Sequence, residues 1–374
     1  MKVLLATPYG GAIGGIARWS QHMVSYYEKY GHCDCEMDIL PMGRQRFTNM
    51  NSVFKRIYYG VCDYTQYILL EKSMMKNNSY DVFHLVSSAS ISLVKDLLML
   101  RVAKSRKAKT IVHFRFGRIP ELSKMNNWEW KLICKVVDLS DITIVLDKES
   151  LETLHKTGFK NVALLPNPVA PRVTELIKTF GNKVRNPRTL LFAGHGKSSK
   201  GVYELVEACR QIPNIKLRMI GTIANEVKDR LKALANNASW LDVAGEYSYE
   251  KTIAEMLSCD VFVLPTYTEG FPNVILESMA CGCSIVTTPV GAIPEMLEEE
   301  NGKRYGILVP PKNIERLREG IEKMLCDVDL KEEVRQNVQQ RVNERYNIEA
   351  VWKQLIKIWE TSLKINSHET FKKH

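Results

Sequence analysis

The sequence predicts an α/β protein of two similar open halves, each a parallel sheet covered by helices. Three observations carry that prediction. Short β-branched runs alternate with longer helical patterns from Val3 to Leu165, a second alternation of the same kind runs from Thr189 to Leu325, and a stretch from Pro166-Asn167-Pro168 to Pro187 separates them. At 374 residues the chain has room for two ordinary domains.

In the first half, strands are predicted at Val3 to Ala6, Val82 to Val86, Thr110 to Phe114, Ile142 to Leu146 and Val162 to Leu165. Several are apolar throughout, as strands buried on both faces of a helix-covered parallel sheet are. Ile16 to Tyr30 reads as a helix stopped by Gly31, and Ile91 to Lys104 carries apolar residues at helical spacing. The pattern then weakens around the turn signal Phe180-Gly181-Asn182, which places a linker at 171–187.

The second half repeats the theme with strands at Thr189 to Ala193, Lys216 to Ile220, Asp260 to Leu264 and Ser284 to Thr287. Its helices are predicted at Gly201 to Arg210, Glu226 to Asn236, Asn273 to Cys281 and Ile314 to Leu325. The tail, Ile348 to Ile365, carries Val351, Trp352, Leu355, Ile358 and Trp359 as an apolar stripe. The predicted organisation is a domain at 1–170, the linker, a domain at 188–346 and a terminal helix within 347–374. Ligands of open α/β sheets bind beyond the carboxyl ends of the strands, so a ligand between two facing halves would meet loops from both.

Composition removes several classes. Hydrophobic residues at 45% and charged residues at 25% describe a globular chain. No apolar run approaches the roughly 20 residues that span a bilayer, and the start is too short in apolar residues for a signal peptide, so the chain is expected to begin at Met1 and stay in the cytoplasm. Nine scattered cysteines without a Cys-x-x-Cys pair predict reduced thiols rather than disulfides or a zinc site. Cys281 and Cys283 read as packing, and Asp327 and Asp329 as solvated charge, so no metal is expected.

The net charge of +10 is uneven. Residues 1–182 hold 25 Lys+Arg against 16 Asp+Glu, and residues 183–374 hold 27 against 26. A basic first half suits a polyanionic partner, nucleic acid or an anionic membrane surface, or is simply a soluble surface. Between Arg44 and Lys76, Arg44, Arg46, Lys55, Arg56, Lys72 and Lys76 interleave with Phe47, Phe54, Tyr58, Tyr59, Tyr64 and Tyr67, and Lys95, Arg101, Lys104, Arg106, Lys107 and Lys109 form a second cluster. Peripheral docking at a membrane and a core filled by the aromatics weigh about equally. No nucleic-acid-binding module is recognisable, so no nucleic acid is expected.

The segment with the most specific chemistry is Pro265 to Gly282, PTYTEGFPNVILESMACG. A strand ends, a turn with Gly270 and Pro272 follows, and a helix opens near Asn273. Glu269 lies in the loop and Glu277 on the early helix, so both can face a ligand at the helix start. Free N–H groups there favour phosphate, and a carboxylate can accept hydrogen bonds from two neighbouring sugar hydroxyls. Two solvated glutamates flanking a helix is the plainer alternative.

This segment resembles the signature of the retaining glycosyltransferases of family 4, E-G-F-P-x-x-x-x-E-x-M-A-x-G. Glu269, Gly270, Phe271, Pro272, Glu277, Met279, Ala280 and Gly282 all match. The resemblance implies a GT-B fold of two facing Rossmann-like domains with a cleft between them and a C-terminal helix crossing back onto the first. It implies a nucleotide-sugar donor, with Glu277 on the ribose, Glu269 on the hydroxyls of the transferred sugar, and Gly270, Phe271 and Pro272 beside it. It also implies transfer to a sugar or lipid-linked acceptor with retention of configuration, and no cofactor beyond the donor. Phe192-Ala193-Gly194 and Lys200-Gly201 resemble the segment whose Arg and Lys hold the diphosphate. Lys200 matches that Lys, and His195 replaces the Arg, with Lys197, Arg115 or Arg118 as candidates to compensate. Residues 288–291 and 306–311 look like the family's closing pattern.

Two sites in the first half join this picture. Gly14-Gly15 opens a helix after the first strand, where amides can approach a phosphate, although a tight turn explains it about as well. The family often places a histidine where His113 stands, beside the transferred sugar, although a lone histidine is usually structural. Arg115 and Arg118 are candidates for a phosphate of donor or acceptor. Rival readings are a GT-B sugar-nucleotide epimerase, which would need no acceptor, and a basic nucleic-acid-binding protein. A Rossmann dehydrogenase lacks its G-x-G-x-x-G, and the P-loop suggested by Gly196-Lys197-Ser198 has Leu191 where its first glycine belongs.

Overall fold

The computed structural model describes residues 1–10, 14–31, 35–43, 53–181 and 183–365, and of residues 53–61 the helical backbone alone. The chain divides into two compact units, Met1–Asn167 together with the segment from Ile348 onward, and Pro168–Asn347. The Pro166-Asn167-Pro168 tripeptide thus marks the first passage between units. Pro171–Phe180, inside the stretch read as linker, is a helix whose Val173 is buried in the second unit's core.

The first unit runs β1 (Lys2–Thr7), α1 (Gly15–Tyr30), β2 (Glu36–Pro41), α2 (Val53–Asn77), β3 (Val82–Ser87), α3 (Ser92–Ser105), β4 (Lys109–Phe114), α4 (Ile119–Met125), α5 (Trp128–Leu139), β5 (Ile142–Val145), α6 (Lys148–Lys156) and β6 (Val162–Leu164). Its strands form one parallel sheet in the order β2-β1-β3-β4-β5-β6. All six residues of β3 are buried, as continuous apolar runs in a helix-covered sheet require. Asn127 and Asp147 cap α5 and α6 by accepting from Trp130 N and Ser150 N.

The second unit runs α7 (Pro171–Phe180), β7 (Thr189–Ala193), α8 (Val202–Arg210), β8 (Lys216–Ile220), α9 (Asn225–Leu234), β9 (Leu241–Gly245), α10 (Tyr249–Ser258), β10 (Val261–Leu264), α11 (Asn273–Ala280), β11 (Ser284–Thr287), α12 (Ile293–Leu297), β12 (Ile307–Leu308), α13 (Ile314–Cys326) and α14 (Val328–Arg341). Its parallel sheet has the order β12-β11-β10-β7-β8-β9, the doubly wound order of a dinucleotide-binding fold. Asp327, read as solvated charge, caps α14 by accepting from Leu330 N. Cys281 and Cys283 are buried packing residues.

The tail helix α15 (Ile348–Lys364) returns to the first unit. Val351, Trp352, Leu355 and Trp359 are buried there with Trp19 and Met23 of α1 and Val86 of β3. The opposite face of the same sheet is covered by α2, α3 and α5. The basic-and-aromatic stretch falls in that layer. Arg44, Arg46 and Phe47 and the side chains of Phe54, Lys55, Arg56, Tyr58 and Tyr59 lie outside the described residues, Tyr64 and Tyr67 are half-buried, and Lys95 of the second cluster is buried against Asp96. Lys109 donates to the carbonyl of Ile365 at 2.7 Å.

Candidate functional site

In a doubly wound sheet the chain leaves its first strand in one direction and returns on the other side, so the loops after the two central strands part and leave a crevice. In the second unit those strands are β7 and β10, hydrogen-bonded neighbours. The loop after β7 carries His195, Lys197 and Lys200. The loop after β10 carries Glu269, Gly270, Phe271 and Pro272, and leads into α11 with Glu277. The topology therefore gathers these predicted residues of the second unit at one switch point.

A backbone contact stitches the two loops together, Tyr267 N donating to Ser199 O at 2.8 Å, and Ala292 N, in the loop after β11, donates to Gly270 O at 2.9 Å. Gly201 opens α8 at φ +67°, and a Cβ there would stand 2.1 Å from the carbonyl oxygen of Pro265. Only glycine combines that left-handed conformation with so close an approach. Lys200, the preceding residue, is thereby fixed against the β10 exit.

Lys200 Nζ lies 2.5 Å from Glu269 Oε1, with both side chains mostly buried. The cation assigned to the diphosphate and the carboxylate assigned to the sugar thus neutralise each other in this structure. Glu277 accepts from Tyr249 Oη of α10 at 3.0 Å. Pro272 precedes α11 without a side-chain cap. Phe271 packs edge-on against Tyr346 at 5.9 Å. His195 and Lys197 are exposed.

Tyr249 escaped the sequence reading. It sits 28 residues from Glu277 on a helix with no motif of its own. The Ser199–Tyr267 contact spans 68 residues and carries no sequence signal either.

The first unit holds the other predicted residues. Gly14 precedes α1 at φ +126°, and among the described residues no atom lies within 4 Å of where a Cβ on it or on Gly15 would stand. The start of α1 lies at the end of β1 and beside the first sheet's own switch point between β1 and β3. Arg118 is exposed and lies 3.4 Å from Glu129.

His113 is placed otherwise than expected for a group touching sugar. It has no exposed surface. Trp19 meets its ring edge-on at 5.0 Å, and His84 lies 5.4 Å away. Burial, then the Arg115 charge and His84, hold its imidazole well below the usual histidine range, so it stays neutral. His84 is pushed down to about 3 by burial and then by Arg115, and its Nδ1 accepts from Trp359 Nε1 of α15 at 3.0 Å. In front of His113 stands Arg115, half-buried, with Nη1 3.4 Å from His113 Nε2 and Nη2 donating to Asn167 Oδ1 at 2.5 Å. Its guanidinium lies 4.8 Å over the Trp19 ring.

Known proteins share this architecture. The family model described as Glycosyl transferases group 1 matches residues 173–341, which include Lys200, Glu269 and Glu277. The capsular polysaccharide biosynthesis glycosyltransferase CapM of Staphylococcus aureus is 29% identical over 182 residues, 46% of this chain and 46% of that protein. The chain thus matches about half the length of this curated relative. Sucrose-phosphate synthase from Thermosynechococcus elongatus superposes with a TM-score of 0.71 at 17% identity, over 96% of this chain and 98% of that one. Anabaena HepE in complex with UDP superposes with a TM-score of 0.68 at 15% identity, over 96% and 100%. With the two parallel six-stranded sheets, these likenesses establish the GT-B fold.

Proposed function

We propose that the protein is a retaining glycosyltransferase that moves a sugar from a nucleoside-diphosphate sugar to an acceptor hydroxyl in the synthesis of a surface polysaccharide or glycolipid. The observation that carries this reading is the gathering of Lys200, Glu269 and Glu277 at the switch point of a doubly wound sheet, beside the start of α11. The capsular role in the name of CapM and the UDP bound by HepE support the acceptor class and the donor base respectively.

The roles follow from chemistry. Glu277, steadied by Tyr249, accepts from the two ribose hydroxyls. Lys200 exchanges Glu269 for the diphosphate and stabilises the charge that grows as the glycosidic bond breaks. Glu269, released, accepts from the sugar's hydroxyls. The positioned acceptor hydroxyl enters on the face the diphosphate leaves, so retention needs no covalent glycosyl-enzyme. His195 and Lys197, both exposed, are available to the outer phosphate oxygens. In the first unit, the Gly14-Gly15 helix start, Arg115 and Arg118 are suited to a phosphate of donor or acceptor. His113 enters as a neutral group positioning Arg115. Neither a metal nor a cofactor has a role in this scheme, and the reaction belongs to the cytoplasmic side.

The test is a donor screen read by nucleotide release, started with UDP-sugars and an array of soluble and lipid-linked acceptors. The anomeric configuration of the product is then read by NMR. Acceptor-dependent release with a retained anomer is expected. An epimerised sugar without acceptor, or an inverted product, would overturn the reading.

A further inference from the structure

The helix layer over the first sheet carries apolar residues on both its sides. On α3 the exposed stripe is apolar: Ile91, just before the helix, Val94 and Leu98 are 67%, 48% and 42% exposed, at spacings of three and four residues. The buried side holds Leu93, Met99, Leu100 and Ala103 and, among them, a charged pair. Lys95 and Asp96 are buried as a pair at 2.6 Å, and Asp96 also accepts from Ser87 Oγ at 2.6 Å. The neighbouring α2 repeats the pattern, with Leu69 and Leu70 exposed and Glu71 fully buried. At the next corner, Met125 and Trp128 are exposed. Of the eleven large apolar side chains exposed among the described residues, these seven fall in one layer. A water-facing helix shows polar residues on its outer side instead.

The charges that face outward are mostly basic, with Glu121 and Asp138 the exposed acids on α4 and α5. Glu71, Asp96 and Glu129 are buried, while Lys72, Lys76, Arg101, Arg106, Lys107 and Lys124 are exposed. Aliphatic groups ringed by cations fit an apolar layer behind anionic headgroups. A second copy of the same face would bring cations against cations, which opposes self-association.

We propose that the outer face of the α2–α3 layer, with the Met125–Trp128 corner, is a docking surface for an anionic lipid bilayer. No helix among the described residues is long and apolar enough to cross a membrane, so contact is at the surface. The surface does not depend on the donor-site reading, and its test needs no activity.

The test is vesicle flotation of the full chain with phosphatidylcholine alone and with added phosphatidylserine, at low and high salt. Wild type should bind only the serine-containing vesicles, and lose at least ten-fold in binding at high salt. Val94→Ser with Leu98→Ser, and separately Lys72→Glu with Arg101→Glu, should each weaken binding at least ten-fold at low salt. Both change exposed residues, and thermal melts establish that they remain folded. Absent binding, binding indifferent to lipid charge, or folded variants that bind like wild type would overturn the proposal. So would a concentration-dependent dimer in sedimentation that these substitutions dissolve, since a second copy would then be the occupant.

Discussion

Exchanging Glu269 for Gln isolates the ion pair at the centre of the proposed donor site. Lys200 and Glu269 are only 22% and 13% exposed at a separation of 2.5 Å, so each screens the other's charge. If Lys200 serves the diphosphate and Glu269 the sugar, Glu269→Gln removes an anion from beside the phosphates. UDP alone should then bind as well as to wild type or up to about ten-fold tighter, about 1.4 kcal/mol. Turnover should nevertheless fall roughly ten- to a hundred-fold, since hydrogen bonds to a charged group are worth about 1.5–3 kcal/mol and these are made to the reacting sugar. Lys200→Met should act in the opposite sense on UDP, weakening it, and should cost roughly 100- to 1000-fold in turnover, as loss of a preorganised charge stabiliser does.

The assay is calorimetric titration with UDP together with steady-state rates, on both single variants and the double. Groups in contact should couple by about 0.5–3 kcal/mol in the double-mutant cycle. Glu269→Gln weakening UDP as much as Lys200→Met would mean that Glu269 serves the nucleotide. Strict additivity would mean that the pair does not exchange on binding. Either result refutes the division of roles.

Glu277→Ala should weaken UDP roughly ten- to a hundred-fold, and Tyr249→Phe by a smaller factor, because the tyrosine acts only through the carboxylate; calorimetry checks both. Gly201→Ala forces a Cβ towards the Pro265 carbonyl in a left-handed conformation, at a cost of about 1–3 kcal/mol, and calorimetric melting should show a fall of several degrees. Burial, opposed by Lys95 and Lys72, pushes the Glu71 carboxyl up to about 9, so the folded state keeps a proton that the unfolded chain sheds above its ordinary carboxylate range. The stability that Glu71 contributes is therefore fully present below about 4.5 and falls as pH rises towards 9, by up to about 1.4 kcal/mol per unit. Glu71→Gln should flatten that slope, raising stability more at pH 8 than at pH 5 in denaturant titrations.

The strands legible in the sequence are mostly those with neighbours on both sides. β3, β4, β7 and β10 are runs of apolar residues because both faces and both edges are covered. The strands absent from the reading are β2, β9 and β12, and all three are sheet edges. An edge strand has one side free and mixes polar with apolar residues, as β2 does in Glu36-Met37-Asp38. Lys2 pairs with Glu36 at 3.1 Å and Tyr80 donates to Asp38 at 2.7 Å, contacts across 34 and 42 residues that a local window does not see. The donor-site motif was legible for the converse reason, since a loop and the helix start after it hold their chemistry within a few residues.

The first unit was harder to read because periodicity reveals that a helix has stripes and not which stripe faces inward. Along α3, Ile91, Val94 and Leu98 make one apolar stripe and Leu93, Met99 and Leu100 another. The usual rule buries the apolar side and exposes charge, and it cannot choose between two apolar stripes. What decides is whether the charged residues can be satisfied inside. Asp96 meets Ser87 at the end of β3, and Lys95 meets Asp96 itself, so this pair can be buried at far smaller cost than a lone charge. His113 follows the same logic. Its place at a strand end is visible in the chain, but its burial is made by Trp19 of α1, and the neighbouring His84 is held by Trp359 of α15. A residue whose environment is assembled from both ends of the chain can be located by sequence, while its protonation and access belong to the fold.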